Sequence, residues 1–200
     1  MQAYMKSTMP YYGINMPQVR AITREAFDGA LTCHELRDTV VRLWRGARFR
    51  EERYVAQILL AQKRFSECLT PRDMPMLEEM VVTGAWWDLV DELAVVIGDV
   101  LRRYPKPMGP LMRRWSTDSN MWKRRVSIIC QLKFKRETDL ELLYANIEPN
   151  LGDRDFFIRK AIGWALRQYA WTDPAEVARY VYANGARLSG LSKREALKNI

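Results

Sequence analysis

The sequence predicts an all-α protein, a solenoid of stacked helical pairs forming a single domain over residues 1–200. Three observations predict it. Helix-start signals recur along the chain, the apolar residues between them keep a helical period, and the longer helices return at a step of about 36 residues. No alternating strand run or hairpin dipeptide competes with them; Asn184-Gly185 follows a helical stretch and reads as a helix end.

The helix starts take two forms. Thr32-x-x-Glu35, Thr138-x-x-Glu141 and Ser192-x-x-Glu195 read as capping boxes, in which hydroxyl and carboxylate satisfy orphaned backbone N–H groups. Thr70-Pro71 and Asp173-Pro174 place a capping side chain before a proline at the first helical position, where its missing N–H costs nothing. Between these signals Val55, Ile58 and Leu59, and again Leu89, Leu93 and Val96, keep the helical spacing. In order, the elements are helices over 17–29, 33–47, 50–68, 71–83, 86–104, 107–116, 119–135, 139–147, 154–170, 174–184 and 192–200. The longer ones align at 53–56, 89–92, 125–128 and 160–163. Stacked pairs of this kind bury a continuous core and leave one concave surface for binding.

Composition narrows the class. The N-terminal stretch Met1 to Tyr12 has no apolar signal-peptide core, and no apolar run reaches the roughly 20 residues of a membrane span. A cytoplasmic protein is expected. The three cysteines, Cys33, Cys68 and Cys130, lie far apart without CxxC spacing, which reads as buried apolar thiols in a reducing compartment rather than disulfides or a zinc site. A net charge of +8 favours a polyanionic partner or a basic soluble surface.

The charges are also sorted along the chain. Glu67 to Asp99 holds eight acidic residues against the single base Arg72, and Val100 to Arg136 holds eleven bases against the single acid Asp118. A charge run alone is as readily a solvated face. Eleven bases over one and a half helical pairs exceed what solubility asks, and match a footprint for phosphates.

Metal, acyl-transfer and nucleotide-hydrolysing motifs are missing: there is no HExxH, no GxSxG and no glycine-rich phosphate loop. The one histidine, His34, begins a capped helix and reads as a surface residue. Chemistry would fall to carboxylates, aromatics and cations, with no metal and no cofactor. Trp87 and Asp91 share a face of the fifth helix, and adjacent Trp86 and Trp87 cannot both face its core. Either Trp87 packs against the next repeat with Asp91 solvated, or the pair reaches a working surface. Arg125 and Lys133 fall on a similar face, two turns apart, as a line of phosphates would need. Lys160, Trp164 and Arg167 form one stripe with an aromatic between two cations, suited to a sugar or base.

Longer blocks carry a resemblance. Trp86-Trp87-Asp88-x-Val90-Asp91, Arg125 with Gln131-Leu132-Lys133-Phe134-Lys135, and Phe156-Phe157-Ile158-x-Lys160-Ala161-Ile162-Gly163-Trp164-x-Leu166-Arg167-x-Tyr169-Ala170 closely resemble the AlkD-type DNA alkylation-repair glycosylases. Leu191-Ser192-Lys193-Arg194-Glu195-Ala196 fits as well, as does early Tyr4-Met5-Lys6 with Gly13-Ile14, behind an N-terminal segment shorter than the family's usual one. The resemblance runs along nearly the whole chain. It implies a HEAT-like superhelix with a concave DNA-binding surface, acting as a monomer on double-stranded DNA. It also implies hydrolysis of the N-glycosidic bond of N3- and N7-alkylated purines, such as 3-methyladenine and 7-methylguanine, without base flipping. The catalytic aspartate falls on Asp91 and the sugar-contacting tryptophans on Trp87 and Trp164. The DNA-contacting cations fall on Arg125 and Lys133, with Arg167 and Lys160 beside Trp164, and Tyr4 matches an aromatic near the lesion strand. The alternatives are a non-catalytic HEAT-like DNA-binding scaffold, for which the cations alone would suffice, and a protein–protein adaptor, which leaves the basic block unexplained.

Overall fold

The structure is a computed structural model that describes Met5 and residues 7–29 and 31–200. Among the described residues every regular element is helical: α1 (Met16–Ala26), α2 (Cys33–Gly46), α3 (Arg50–Leu60), α4 (Met74–Gly84), α5 (Trp87–Arg103), α6 (Pro105–Trp115), α7 (Met121–Ile129), α8 (Leu140–Ile147), α9 (Phe156–Ala170), α10 (Pro174–Ala183) and α11 (Gly190–Ala196). Short 3-10 turns occupy Lys63–Cys68, Pro71–Asp73, Lys135–Glu137 and Glu148–Asn150. The predicted all-α repeat of helices is the observed fold, and each expected helix has its counterpart.

The differences lie at helix ends. The third helix stops at Leu60, where the Ala61 N–H closes on the Gln57 carbonyl and extended Gln62 starts a 3-10 turn. The seventh stops at Ile129. The carbonyl of Cys130 sits where a Cβ on Gly98 would lie, 2.0 Å away, and the chain then turns through Lys135 at φ +54°. Two expected caps are displaced. Asp139, not Thr138, caps α8 by accepting from the Leu142 N–H, and Ser189, not Ser192, caps α11. The Thr32 capping box and the Asp173-Pro174 start form as read.

The chain divides into two compact units, Met1–Val96 and Ile97–Ile200, with the division inside α5. In the first, α1 and α2 both pack on α3, and Leu36, Leu59, Leu77, Leu89 and Leu93 are fully buried. In the second, α9 packs against α7, α10 and α11, and α6 against α7 and α8. Met108, Met112, Ile128, Ile129 and Leu166 fill its core. Two buried asparagines tie this unit's helix ends: Asn146 Nδ2 donates to the Ser127 carbonyl (2.8 Å), and Asn150 Nδ2 to the carbonyls of Ser116 (2.8 Å) and Asn146 (2.9 Å).

The cysteine reading needs correction. Cys33, at the start of α2, and Cys68, at the end of the first 3-10 turn, form a disulfide with Cα atoms 5.0 Å apart. The α2–α3 hairpin returns residue 68 to residue 33, a proximity that a linear separation of 35 conceals. Cysteine usage therefore carries no argument about compartment. Cys130 is buried and free, as expected, and burial pushes its thiol up to about 12.

Candidate functional site

In the first unit the site residues stand on the opening turns of α5. Ala85, in the left-handed region at φ +39°, ends α4 and turns the chain, and the Trp86 carbonyl accepts from the N–H groups of Leu89 and Val90. Leu89 and Leu93 then point into the core, and Trp87 and Asp91, one turn apart, share the opposite face half-buried. Asp88, between them, is clamped from α3. The Arg50 guanidinium binds both its carboxylate oxygens (2.5 and 3.0 Å), and the Tyr54 hydroxyl donates to it at 2.5 Å. Burial, and then the adjoining Asp88 carboxylate, push the Tyr54 phenol far above its ordinary range, so it remains a donor.

The head of α3 also holds the N-terminal segment. The buried Glu51 carboxylate accepts from the N–H groups of Tyr12 (3.1 Å) and Gly13 (3.0 Å), and the Tyr12 ring stacks on Phe49 at 3.9 Å. Tyr4 lies outside the described residues.

The second unit carries the remaining candidates. Arg125 is buried on α7: its Nη1 donates to the Phe157 carbonyl at 2.6 Å, and the guanidinium lies 5.9 Å from the Phe157 ring centre. Lys133 is exposed in the turn after α7. That turn is well built. Gln131 bridges it, accepting from the Asp139 N–H (2.8 Å) and donating to the Asp139 carbonyl (3.0 Å). Leu132 and Phe134 point inward while Lys133, Lys135 and Arg136 point outward, and Arg102 lies over the Phe134 ring and donates to the Lys133 carbonyl. On α9, Trp164 is half-buried between Lys160 and Arg167, which both bind the Glu195 carboxylate. Lys160 and Arg167 are thus brought together through Glu195.

The model of the DNA alkylation repair enzymes matches residues 1–200 of this sequence. The chain belongs to that family. Among solved structures, a protein described as a predicted DNA alkylation repair enzyme from Enterococcus faecalis shares the fold at a TM-score of 0.85 and 29% identity, covering 100% of this chain and 92% of its own. No curated protein matches the sequence.

For a DNA alkylation repair enzyme, the charge pattern reads differently in three dimensions. Half of the acidic block is matched by arginines inside the first unit: Arg37 pairs with Asp73, Arg45 with Glu79, Arg50 with Asp88 and Arg20 with Glu92. Much of the basic block is matched as well, through Lys123–Asp118, Arg124–Asp153, Arg113–Glu141 and Arg102–Glu137. Among the described residues Lys106, Arg114, Lys133, Lys135 and Arg136 are exposed and form no ion pair, so these five are open to an anion without giving up a carboxylate. Sequence reasoning missed Arg50, Tyr54, Gln131 and Glu195. The first three act through buried contacts that no linear spacing reveals, and Glu195 was assigned to a capping box. No group of three or more His, Cys, Asp or Glu side chains among the described residues is arranged to hold a metal, and no described helix is long and apolar enough to cross a membrane. His34 is exposed beside Asp38.

Proposed function

We propose that this family member is a DNA glycosylase that hydrolyses the N-glycosidic bond of cationic N3- and N7-alkylated purines, 3-methyladenine and 7-methylguanine among them, in duplex DNA. The observation that carries the reading is the pairing of Trp87 with Asp91, half-buried on one face of α5 and opposite its core residues. The flanked, half-buried Trp164 supports it. A scaffold that only grips phosphates needs neither an aromatic nor a carboxylate at such positions.

The chemistry follows from the substrate's charge. Alkylation at N3 or N7 makes the purine a cation that leaves without protonation, so neither a histidine nor a paired acid is required. As the bond lengthens, positive charge grows on the deoxyribose, giving an oxocarbenium-like transition state. The faces of Trp87 and Trp164 stabilise that charge by cation–π attraction, worth about 0.5–2 kcal/mol per ring. Asp91 supplies a fixed negative charge and orients the attacking water. Four of the eight acids of its block are paired with arginines, so we assign this electrostatic role to Asp91 by its place beside Trp87 and not to the block as a whole.

Arg125, held against the Phe157 carbonyl, and Lys133, exposed on its turn, receive the phosphates of the lesion strand in this reading. The damaged base stays in the stack in this reading, and leaving-group charge sets the substrate range more than shape does. The partner is double-stranded DNA, met by a monomer.

The test is release of free 7-methylguanine from methylated duplex DNA by the wild type, Asp91→Asn and Trp164→Ala. Both substitutions are expected to lower release at least tenfold, about 1.4 kcal/mol, with DNA binding kept. A folded wild type that binds DNA and releases nothing would leave the scaffold in its place.

A further inference from the structure

Three contacts dock α11 on α9. A Cβ at Gly163 would lie 2.5 Å from the Glu195 Cβ and 2.8 Å from the Ser192 carbonyl oxygen, so the two helices meet at closest approach beside Trp164. Ser192 Oγ donates to the Arg159 carbonyl at 2.9 Å. Glu195 then gives one carboxylate oxygen to Lys160 Nζ (2.8 Å) and the other to Arg167 Nη1 (2.5 Å). The last contact exceeds what docking needs. The close approach and the buried serine already fix the junction, and one cation would satisfy the carboxylate.

We infer that Glu195 is a charge-balancing residue that sets how strongly the Trp164 face of α9 holds a DNA phosphate. The inference rests on the reading of α9 as a DNA-facing helix. One carboxylate shared by two cations leaves the cluster at a net single positive charge. A phosphate arriving there competes with an anion already in place. Lys160 and Arg167 remain 36% and 22% exposed and so within a strand's reach, whereas the Glu195 side chain is 13% exposed. Lys160 foremost, with Arg167 and then Lys198, holds the Glu195 carboxyl below its ordinary range despite its burial, so the carboxylate stays charged at neutral pH.

This balance bears on specificity. Phosphate contacts are the same on damaged and undamaged duplex and carry no information about the base. Two uncompensated cations beside Trp164 would hold both substrates alike, and damped cations let the contact made by Trp164 itself decide.

The experiment measures dissociation constants for undamaged and 7-methylguanine-containing duplexes across a salt series, for the wild type and Glu195→Gln, with folding followed by circular dichroism. In Glu195→Gln, affinity for undamaged duplex is expected to rise about tenfold at low salt, and the slope of log affinity against log salt to steepen by about 0.9 per phosphate gained. The preference for damaged DNA is expected to fall. Lys160→Gln serves as the second arm, and stands alone if Glu195→Gln does not fold. It is expected to weaken binding and flatten the slope. A folded Glu195→Gln with the wild-type slope, or a Lys160→Gln with the wild-type slope, makes the cluster a brace and overturns the inference while leaving DNA binding intact. A folded wild type with no salt-dependent DNA binding overturns the functional reading itself, and the inference with it.

Discussion

Arg50 meets Asp88 side-on, with Nε 3.0 Å from one carboxylate oxygen and Nη2 2.5 Å from the other, and both side chains are at least nine-tenths buried. The pair joins the head of α3 to the first turn of α5, where Trp87 and Asp91 share a face next to Asp88. Planar, bidentate geometry of this kind fixes orientation as well as distance. The first turn of α5 is therefore held from below by a charge pair and a tyrosine hydroxyl.

Asp88→Ala should destabilise the first unit by about 3–5 kcal/mol, because it strands the Arg50 guanidinium in the interior. Asp88→Asn keeps the hydrogen-bonding shape and should cost less. Replacing both partners with apolar residues of similar size should recover much of the loss, since the desolvated charges then vanish together. Urea unfolding of the wild type, an apolar variant at Asp88 alone, one at Arg50 alone and the two combined forms a double-mutant cycle. A loss in the double variant equal to the sum of the single losses would show that the two residues do not act as a pair.

The Cys33–Cys68 bond closes a long loop across α2 and α3. Its reduction should lower stability by about 3–4 kcal/mol on the chain-entropy model. Thiol titration gives a direct check. The unfolded, unreduced chain should titrate one thiol, that of Cys130, and the reduced chain three. Three thiols before reduction, or a melting temperature indifferent to reductant, would contradict the bond.

Helices were legible because their signals are local. Thr32 with Glu35, and Asp173 before Pro174, act over three residues, and both form as read. Ser192 and Glu195 mimic the same local pattern yet face α9, and only tertiary packing separates the two uses. The end of α7 at Ile129 falls beside Gly98 of α5, whose missing side chain admits the Cys130 carbonyl, a tertiary approach that no local signal records. In the candidate site, Trp87, Asp91 and Trp164 stood out by residue type and spacing. The arginines that match the acidic block come from other helices, so that block looked barer in the sequence than it is in the fold.

Glycine substitutions at two helical positions should change stability in opposite directions. Alanine at Gly98 would bring its Cβ to 2.0 Å from a backbone oxygen, and the α5–Cys130 contact must open, costing about 1–3 kcal/mol or more. Alanine at Gly109 on α6 meets nothing within 4 Å and should gain up to about 1 kcal/mol from helix propensity. Melting temperatures of the two variants, measured side by side, test the close approach against propensity alone. Equal and positive shifts would mean that the helix at Gly98 has room to spare.

Acid sensitivity should trace in part to Glu176. Arg179 binds both its oxygens (2.6 and 2.7 Å) and the Tyr144 hydroxyl donates to it at 2.6 Å, which together hold its carboxyl down at about 2. A glutamate in the unfolded chain titrates near about 4.3. A carboxylate depressed by folding contributes its full stabilisation above the unfolded value, and loses it as pH falls through the folded one. Glu176→Gln should therefore be less stable than the wild type at pH 7, with a gap that narrows below pH 4.3 and closes near pH 2. Asp118 and Glu79 are also depressed, by Lys123 and Arg45, and bend both curves alike, so the difference between the curves is the quantity to follow. Urea midpoints from pH 7 to pH 2 give that difference. A gap that stays constant across the window would assign the loss to packing of the Tyr144–Tyr180 stack, whose rings lie 4.2 Å apart, and not to the charge of Glu176.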